Sequence, residues 1–438
     1  MYKNIWFALI AVIATSCASK QTFLNKRENE LGTNGKNRWV FHRLSDRDKG
    51  TSLAFDGYII GIEKASRKRV GAPSKKKVKR GNGLDIYDFN QENTWANMQK
   101  RKRRLLDDKK PMFISTIHEF EVENEGVEHI RINPIYDAYD TLDLVDPKKA
   151  FEMGKKHLEE LEDSFISKID KVKPTHVFVY SMGWNSDQQE AIRNFNSMFL
   201  KIISEANKSE KEFRPIFFGI TWPSMWSEKW WSVFSFFNKT NDADEVGMTW
   251  ANHILNKIIL KEEVDHTFET VVVGHSFGAK LTSRATMSAS MLKENSKKVN
   301  LLINLQSAYS INRYSDDEGI EKTKDYENWN QYAEDIVLVC SRHDKAVKKG
   351  IYAPFAGGIK AYKKVMNDKK GYYDNINHKE YFADPPTTFS SDPELIIINA
   401  SSIIMREAHQ KGGKAHSDIY NKEVAQLLWQ LIETKTYD

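Results

Sequence analysis

The chain has 438 residues, of which 40% are hydrophobic and 29% charged, and its net charge is +5. The length excludes one small domain and suits a core of about 250 residues with additional segments. The charge is mild, and its basic residues are concentrated in two polar runs. A nucleic-acid-binding protein would instead spread them over a folded face with aromatic partners, so we exclude that class.

The first twenty residues, "MYKNIWFALIAVIATSCASK", have the layout of a cleaved export signal. Lys3 precedes an apolar run, Ile5 to Ile13, that is too short to span a bilayer. The small residues before Cys17 resemble the bacterial lipoprotein box, so we predict a signal peptide over residues 1–16, acylation of Cys17 and a lipid-anchored place in the cell envelope. A plain signal peptide is the alternative. Only Cys340 then remains, which excludes an intrachain disulfide and indicates a buried thiol.

Residues 17–150 are predicted to form an N-terminal extension. The run from Lys64 to Arg80 has nine basic residues and no acid, and the run from Lys100 to Lys110 has seven basic residues and two acids. We interpret both as partly disordered, solvated segments, with contact to anionic lipid headgroups as the alternative. Two stretches, "SLAFDGYIIGI" and "PMFISTIHEFEV", have the composition of strands.

From about residue 150 the pattern changes to strands that alternate with helices, and we predict one catalytic domain over residues 151–438. The predicted strands are short continuous apolar runs, as buried parallel strands require. They are "THVFVY", "RPIFFGIT", "FETVVV", "VNLLINL", "DIVLVC" and "ELIIINA", and helical patterns separate most of them. This alternation predicts an α/β fold with a doubly wound, mostly parallel sheet and helices on both faces.

The stretch "VVVGHSFGAK" joins one of these strands to a helix and contains a Gly-x-Ser-x-Gly pattern centred on Ser276. In a tight strand-to-helix turn, side chains two positions before and after the serine would collide, which accounts for Gly274 and Gly278. Such a turn raises the hydroxyl above the sheet and directs helix N–H groups towards an oxyanion. Ser276 is therefore the candidate nucleophile, and a glycine-rich turn without chemistry is the alternative.

A serine hydroxyl needs a base, and in this architecture the base follows the last strand. His416 lies on a glycine-rich loop between "ELIIINA" and the closing helix, and is our candidate. His409 is the second choice, whereas His378 precedes the strand and is disfavoured.

The acid should lie past the end of a buried strand, where a carboxylate can contact the imidazole. Asp344 in "DIVLVCSRHDKAV" meets this condition, although a helix-capping role is the alternative. Asp374 and Asp384 lie in a longer loop and are weaker candidates.

An oxyanion hole needs two donors. One is the backbone N–H of Phe277, which follows the nucleophile. The loop in "VFVYSMGWNSD" supplies the other, which we assign to the backbone N–H of Trp184, with Gly183 or Met182 as alternatives.

These segments resemble the α/β-hydrolase superfamily, of the lipase and esterase type with a His-Gly-Trp-Asn loop. The similarity covers about residues 170 to 435 and includes "YSMGW", "GITWPS", "GHSFGA" and "AHSDIY". Met182 stands where that family usually has a histidine that braces the loop. The resemblance implies acyl transfer to water, with Ser276 as nucleophile, His416 as base and Asp344 as its orienting acid.

The sequence has no metal-binding motif, and we expect neither a metal nor another cofactor. We expect an acyl ester or a lipid as substrate and the membrane as a partner through the N-terminal anchor. Two alternatives remain open: amide or thioester cleavage by the same residues, and a hydrolase-fold scaffold that binds a ligand without turnover.

The segment from Thr221 to Thr240, "TWPSMWSEKWWSVFSFFNKT", is rich in tryptophan and phenylalanine. It follows a strand and should project from the carboxyl end of the sheet, where substrates enter. We interpret it either as a lid or acyl-binding wall, or as a helical cap packed on its own core. Both readings place apolar surface beside Ser276.

Overall fold

The computed structural model describes residues 55–64, 112–124, 128–137, 147–184, 186, 188–224, 232–264, 267–292, 296–311, 314, 331–347, 355–358, 360, 372–373, 395–405 and 415–437. The predicted signal peptide, Cys17 and nearly all of both basic runs lie outside these residues.

The described part contains one ten-stranded sheet. Its strands are β1 (Gly57–Lys64), β2 (Met112–Asn124), β3 (Glu128–Asp137), β4 (His176–Ser181), β5 (Pro215–Thr221), β6 (Glu269–His275), β7 (Val299–Leu305), β8 (Ala333–Cys340), β9 (Tyr372–Tyr373) and β10 (Leu395–Asn399). The order across the sheet is β3-β2-β1-β5-β4-β6-β7-β8-β10-β9. Neighbouring strands pair in parallel along the series β1-β5-β4-β6-β7-β8-β10-β9, and β2 pairs in antiparallel fashion with both β1 and β3. This confirms the predicted mostly parallel sheet.

The α-helices are α1 (Pro147–Val172), α2 (Gln188–Ala206), α3 (Ser232–Val246), α4 (Phe277–Met287) and α5 (Lys422–Thr436). One helical layer contains α2 and α5, which pack on each other, and the other contains α1, α3 and α4. Two π-helical segments, Gly247–Ala251 and Ile254–Ile259, continue α3. Helical structure in this region begins at Ser232, within the Trp-rich segment.

The central strands are buried along their length because helices cover both faces of the sheet. Every residue of β4 is buried, and β5 and β6 expose only part of their first residue. Strands buried on both faces must be apolar without alternation, as the sequence indicated. Their registers align the carboxyl ends, with Gly274 of β6 opposite Ser181 of β4 and Asn304 of β7. Loops that follow these strands therefore meet at one edge of the sheet.

Strands β1 to β3 extend this sheet on one side. β1 pairs in parallel with β5, with Gly57 opposite Phe217, and in antiparallel fashion with β2. Described residues on both sides of the boundary predicted at residue 150 therefore share one sheet and one hydrophobic core.

Candidate active site

Ser276 lies at the junction between β6 and α4 in a strained backbone conformation. Its φ is 57° and its ψ is −117°, values that non-glycine residues rarely adopt. Its N–H donates to the Leu305 carbonyl at 3.0 Å, and its carbonyl accepts from the Ala308 N–H at 3.0 Å. The segment after β7 thus holds this peptide on both sides, as a strained residue at a functional turn requires.

The two glycines of the motif meet the steric demand that the sequence predicted. A Cβ at Gly274 would lie 2.3 Å from the Ala279 Cα, and one at Gly278 would lie 2.1 Å from the Ser181 carbonyl oxygen. Both contacts are with backbone atoms, which have little room to move. The first turn of α4 can pack this closely on β6 and on the end of β4 only because both positions are glycine.

A chain of hydrogen bonds joins Ser276, His416 and Asp344. The His416 Nε2 lies 2.8 Å from the Ser276 Oγ, and the His416 Nδ1 lies 2.7 Å from the Asp344 Oδ2. Because a carboxylate only accepts, Nδ1 carries the proton and Nε2 is left to accept from the hydroxyl. The three side chains come from segments after β6, β8 and β10.

Asp344 is buried, with 2% of its surface exposed. Its Oδ1 accepts from the N–H groups of Ala346 and Val347, at 2.8 and 3.3 Å. One carboxylate oxygen therefore binds the backbone that follows Asp344, while the other contacts His416. No helix is described directly after Asp344, so the helix-capping alternative stays a prediction. The competing candidates His409, His378, Asp374 and Asp384 lie outside the described residues.

The two predicted oxyanion donors belong to residues on two different segments. Phe277 is the first residue of α4, and Trp184 lies on the loop after β4. This loop passes directly over the serine, since a Cβ on Gly183 would lie 2.9 Å from the Ser276 Cβ. The rings of Trp184 and Phe277 have centroids 6.3 Å apart. Both backbone segments are therefore near the hydroxyl, as an oxyanion hole requires.

The loop after β4 is fixed by the segment after β5. The Trp222 Nε1 donates to the Met182 carbonyl at 3.0 Å. The Ser224 hydroxyl donates to the Ser186 carbonyl at 2.6 Å and accepts from the Ser186 N–H at 3.2 Å. The loop is thus held without the histidine that Met182 replaces. The sequence identified "GITWPS" as a shared segment but gave no sign of this contact, which depends on the β4–β5 pairing.

Buried charges connect α3, which contains the end of the Trp-rich segment, to α4. Asp244 of α3 lies 2.7 Å from the Lys280 Nζ and 2.8 Å from the Arg284 Nε, both on α4. The Lys239 Nζ donates to the Pro223 carbonyl. The Lys280 Nζ also donates to the Thr240 carbonyl at 2.9 Å, so the described end of the segment is fixed against α4. Residues 225–231 lie outside the described part, and the choice between lid and cap stays a prediction.

Within the described ranges, no group of three or more His, Cys, Asp or Glu side chains is arranged to hold a metal ion. No helix there is long and apolar enough to cross a bilayer. Cys340 is buried as predicted, and burial raises the pKa of its thiol to about 12.

Comparison with known proteins agrees with this architecture. Residues 157–352 match the model of a family described as an alpha/beta hydrolase of unknown function (DUF900). The protein has the α/β-hydrolase fold. The matched range begins in α1, ends after β8 and contains the loop after β4, Ser276 and Asp344. His416 lies beyond it.

The product of the gene lin2722 from Listeria innocua, known from a crystal structure, is similar to part of this chain. The two are 10% identical, the similarity covers 51% of this chain and 99% of the other, and the TM-score is 0.28. No curated protein matches the sequence significantly.

Proposed function

We propose that this α/β-hydrolase is a serine hydrolase that cleaves a carboxylic ester, with Ser276 as nucleophile, His416 as general base and Asp344 as the acid that orients it. The observation that carries the proposal is the continuous chain of contacts from the Ser276 Oγ through both nitrogens of His416 to the Asp344 Oδ2, at 2.8 and 2.7 Å. A nucleophile, a base and an orienting carboxylate in this order form the arrangement that activates a serine.

The proposed reaction has two stages. His416 takes the Ser276 proton as the Oγ attacks the ester carbonyl, and the Phe277 and Trp184 N–H groups stabilise the oxyanion. The imidazolium then gives its proton to the departing alcohol, which leaves an acyl-serine. Water, deprotonated by the same imidazole, releases the carboxylic acid and restores the serine. Buried Asp344 stabilises the imidazolium in both stages.

We favour an apolar acyl group, and lipids in particular, because the Trp-rich segment connects β5 to α3 at the carboxyl end of the sheet. Hydrolysis rates for p-nitrophenyl esters of increasing acyl length would test this preference. A rate that rises with chain length supports an apolar acyl site. Faster cleavage of the matched amide or thioester would instead assign one of the alternative reactions.

A fluorophosphonate probe tests the serine chemistry directly, because it reacts with activated serines without requiring the natural substrate. We expect the folded protein to be labelled at Ser276 and Ser276→Ala not to be labelled, with an unchanged melting temperature. Ser115→Ala is the matched control, because Ser115 is also buried and donates to a backbone carbonyl far from the site. Absence of labelling in the folded wild-type protein would favour the ligand-binding scaffold.

We also propose that the protein is exported and anchored in the cell envelope by acylation of Cys17. The support is the sequence pattern alone, a basic residue, a short apolar run and small residues before the cysteine. Metabolic labelling with a fatty acid should mark the wild-type protein and not Cys17→Ser. Equal labelling of both would contradict the proposal.

A further inference from the structure

Two buried side chains at the ends of adjacent strands bind the turn that carries His416. The His275 Nε2 lies 2.8 Å from the His416 carbonyl oxygen, and the Gln306 Nε2 donates to the Ala415 carbonyl at 3.2 Å. His275 ends β6 and Gln306 directly follows β7. The carboxyl ends of β6 and β7, where Ser276 is also fixed, therefore bind two consecutive carbonyls of the turn.

The His275 ring is suited to this contact because it stays neutral. It is 6% exposed, and burial together with the nearby His416 lowers its pKa to about 3. A carbonyl only accepts, so the neutral ring carries its proton on Nε2. Its centroid lies 4.9 Å from that of His416. A protonated His275 would place a second positive charge beside the imidazolium that the proposed reaction forms, and burial prevents this.

Gln306 adopts a conformation that only a specific environment maintains. Its φ is 49°, and its side chain is fully buried. Its N–H donates to the Val339 carbonyl at 3.0 Å, and the backbone of Gly357 packs so closely that a Cβ there would lie 2.2 Å from the Gln306 carbonyl carbon. These contacts hold the amide beneath the histidine turn. A strained non-glycine residue beside a site is a reason to look for a positioning role.

The turn that carries His416 is short, so side chains from other segments help to define its position. It is a three-residue 3₁₀ helix, Ala415–Ser417, and the Asp418 N–H donates to the Ala415 carbonyl at 3.2 Å. His416 has to keep both ring nitrogens in contact with groups from two other segments. A displacement of about 1 Å can cost a factor of about 100 in rate.

We propose that His275 and Gln306 are positioning residues that hold His416 in register between Ser276 and Asp344. The inference rests on the proposed function, since it assigns the two residues a role in that reaction. Neither residue contacts the substrate. Each acts through a backbone carbonyl of the histidine turn.

The test compares variants that keep or lose the donor at nearly constant volume. His275→Met and Gln306→Met fill the space without an N–H, whereas His275→Gln retains one near the original Nε2. We expect each methionine variant to lose about 30- to 100-fold in kcat on a short-chain ester, with KM changed less than about threefold. His275→Gln should keep kcat within about fivefold of the wild type, because the rescuing group restores the bond.

His176→Met is the matched control. His176 is also a buried histidine, and it lies in β4 at the opposite end of the sheet, where its Nε2 contacts the Thr436 hydroxyl at 2.7 Å. This variant should lower the melting temperature without changing kcat. Equal kcat in His275→Met and the wild type, or equal losses in His275→Gln and His275→Met, would overturn the inference.

A second measurement does not depend on turnover. The proton between the His416 Nδ1 and Asp344 should give a low-field NMR resonance in the wild type and in His275→Gln, and a broadened or absent one in the methionine variants. An unchanged resonance in the methionine variants contradicts the positioning role. Failure of the wild-type protein to react with a fluorophosphonate contradicts the proposed function instead, so the two failures are distinguishable.

Discussion

The carboxyl ends of β6, β7 and β8 and the antiparallel edge β1–β3 belong to the same sheet, yet different interactions stabilise them. At the carboxyl ends, buried polar groups bond to backbone atoms, and two non-glycine residues, Ser276 and Gln306, have positive φ. At the β1–β3 edge, aromatic rings pack together. The centroid of the Phe55 ring lies 5.9 Å from that of Phe120 and 5.6 Å from that of Phe217.

This difference has consequences for mutation. Apolar packing tolerates small shifts at a modest cost in stability, whereas a directional contact between reacting groups fails when it moves by a fraction of an ångström. Substitutions at the carboxyl ends should therefore change rate more than stability. Substitutions at the β1–β3 edge should change stability and leave rate unaltered.

The largest effect is expected for Asp344→Asn. The amide no longer stabilises the imidazolium and favours the wrong tautomer of His416, so kcat should fall by about 10³- to 10⁴-fold. Esterase assays of the purified variants would measure this. Asp418→Asn is the control, because Asp418 directly follows the histidine turn and its carboxylate accepts from the Met405 N–H at 3.2 Å. Comparable losses in both variants would contradict the role of Asp344.

Gly278→Ala should come next. The new methyl group would lie 2.1 Å from the Ser181 carbonyl oxygen and 2.4 Å from that of Met182, and it would push the loop after β4 away from Ser276. We expect a loss of about 100-fold in kcat and about 1–3 kcal/mol in the free energy of unfolding.

Gly154→Ala is the matched control for this change. Its methyl group would meet the Ile114 Cβ at 3.3 Å, so a small adjustment accommodates it within α1. Stability should change by less than about 1 kcal/mol and rate not at all. Kinetics and chemical denaturation of both variants would decide. A normal rate in Gly278→Ala would show that the loop position does not matter.

At the β1–β3 edge, Lys168→Met should affect stability alone. The buried Lys168 Nζ lies 3.0 Å from a Glu119 carboxylate oxygen and donates to the Phe120 carbonyl at 3.2 Å. Its loss removes this cation from the partly exposed Glu119 carboxylate and leaves the Phe120 carbonyl without this donor, so the free energy of unfolding should fall by about 2 kcal/mol. Exposed Lys171, which pairs with Glu121 at 3.2 Å, is the control, and Lys171→Met should change little. A reduced kcat in Lys168→Met would contradict the expectation that substitutions at the β1–β3 edge change stability alone.

The smallest expected effect is a pH dependence of stability from His176. Burial lowers the pKa of this side chain to about 4 in the folded protein. The unfolded chain binds a proton below its ordinary pKa of about 6.5, so stability is lost as pH falls from about 6.5 towards 4, by about 2 kcal/mol at pH 5. Urea titrations at pH 7 and pH 5 should therefore show a smaller difference in His176→Met than in the wild type. An equal difference would contradict this assignment.

The sequence predicted those features that depend on local pattern. Continuous apolar runs located β4 to β8, and the glycines around Ser276 located the turn because its steric demand is local. The order of segments after the strands selected His416 and Asp344, since carboxyl ends of parallel strands meet at one edge.

Features that depend on contacts between distant segments were not predictable. The pairing of β1 with β5 joins positions that are about 160 residues apart, and no pattern in "GYIIGIEK" specifies that neighbour. The contacts of Trp222 with Met182 and of His275 with the His416 turn end on backbone carbonyls, which every residue has. Such contacts leave no pattern in the sequence, because the accepting carbonyl is the same group at every residue.

The proposed base lies on a turn that directly precedes the last described helix, 140 positions after the nucleophile. A partly synthesised chain would contain Ser276 before His416 is in place, and its hydroxyl would then be as unreactive as any free serine. The site would become reactive only when β8, β10 and α5 have packed into the fold. Reaction with a mechanism-based probe would then count molecules that have completed folding.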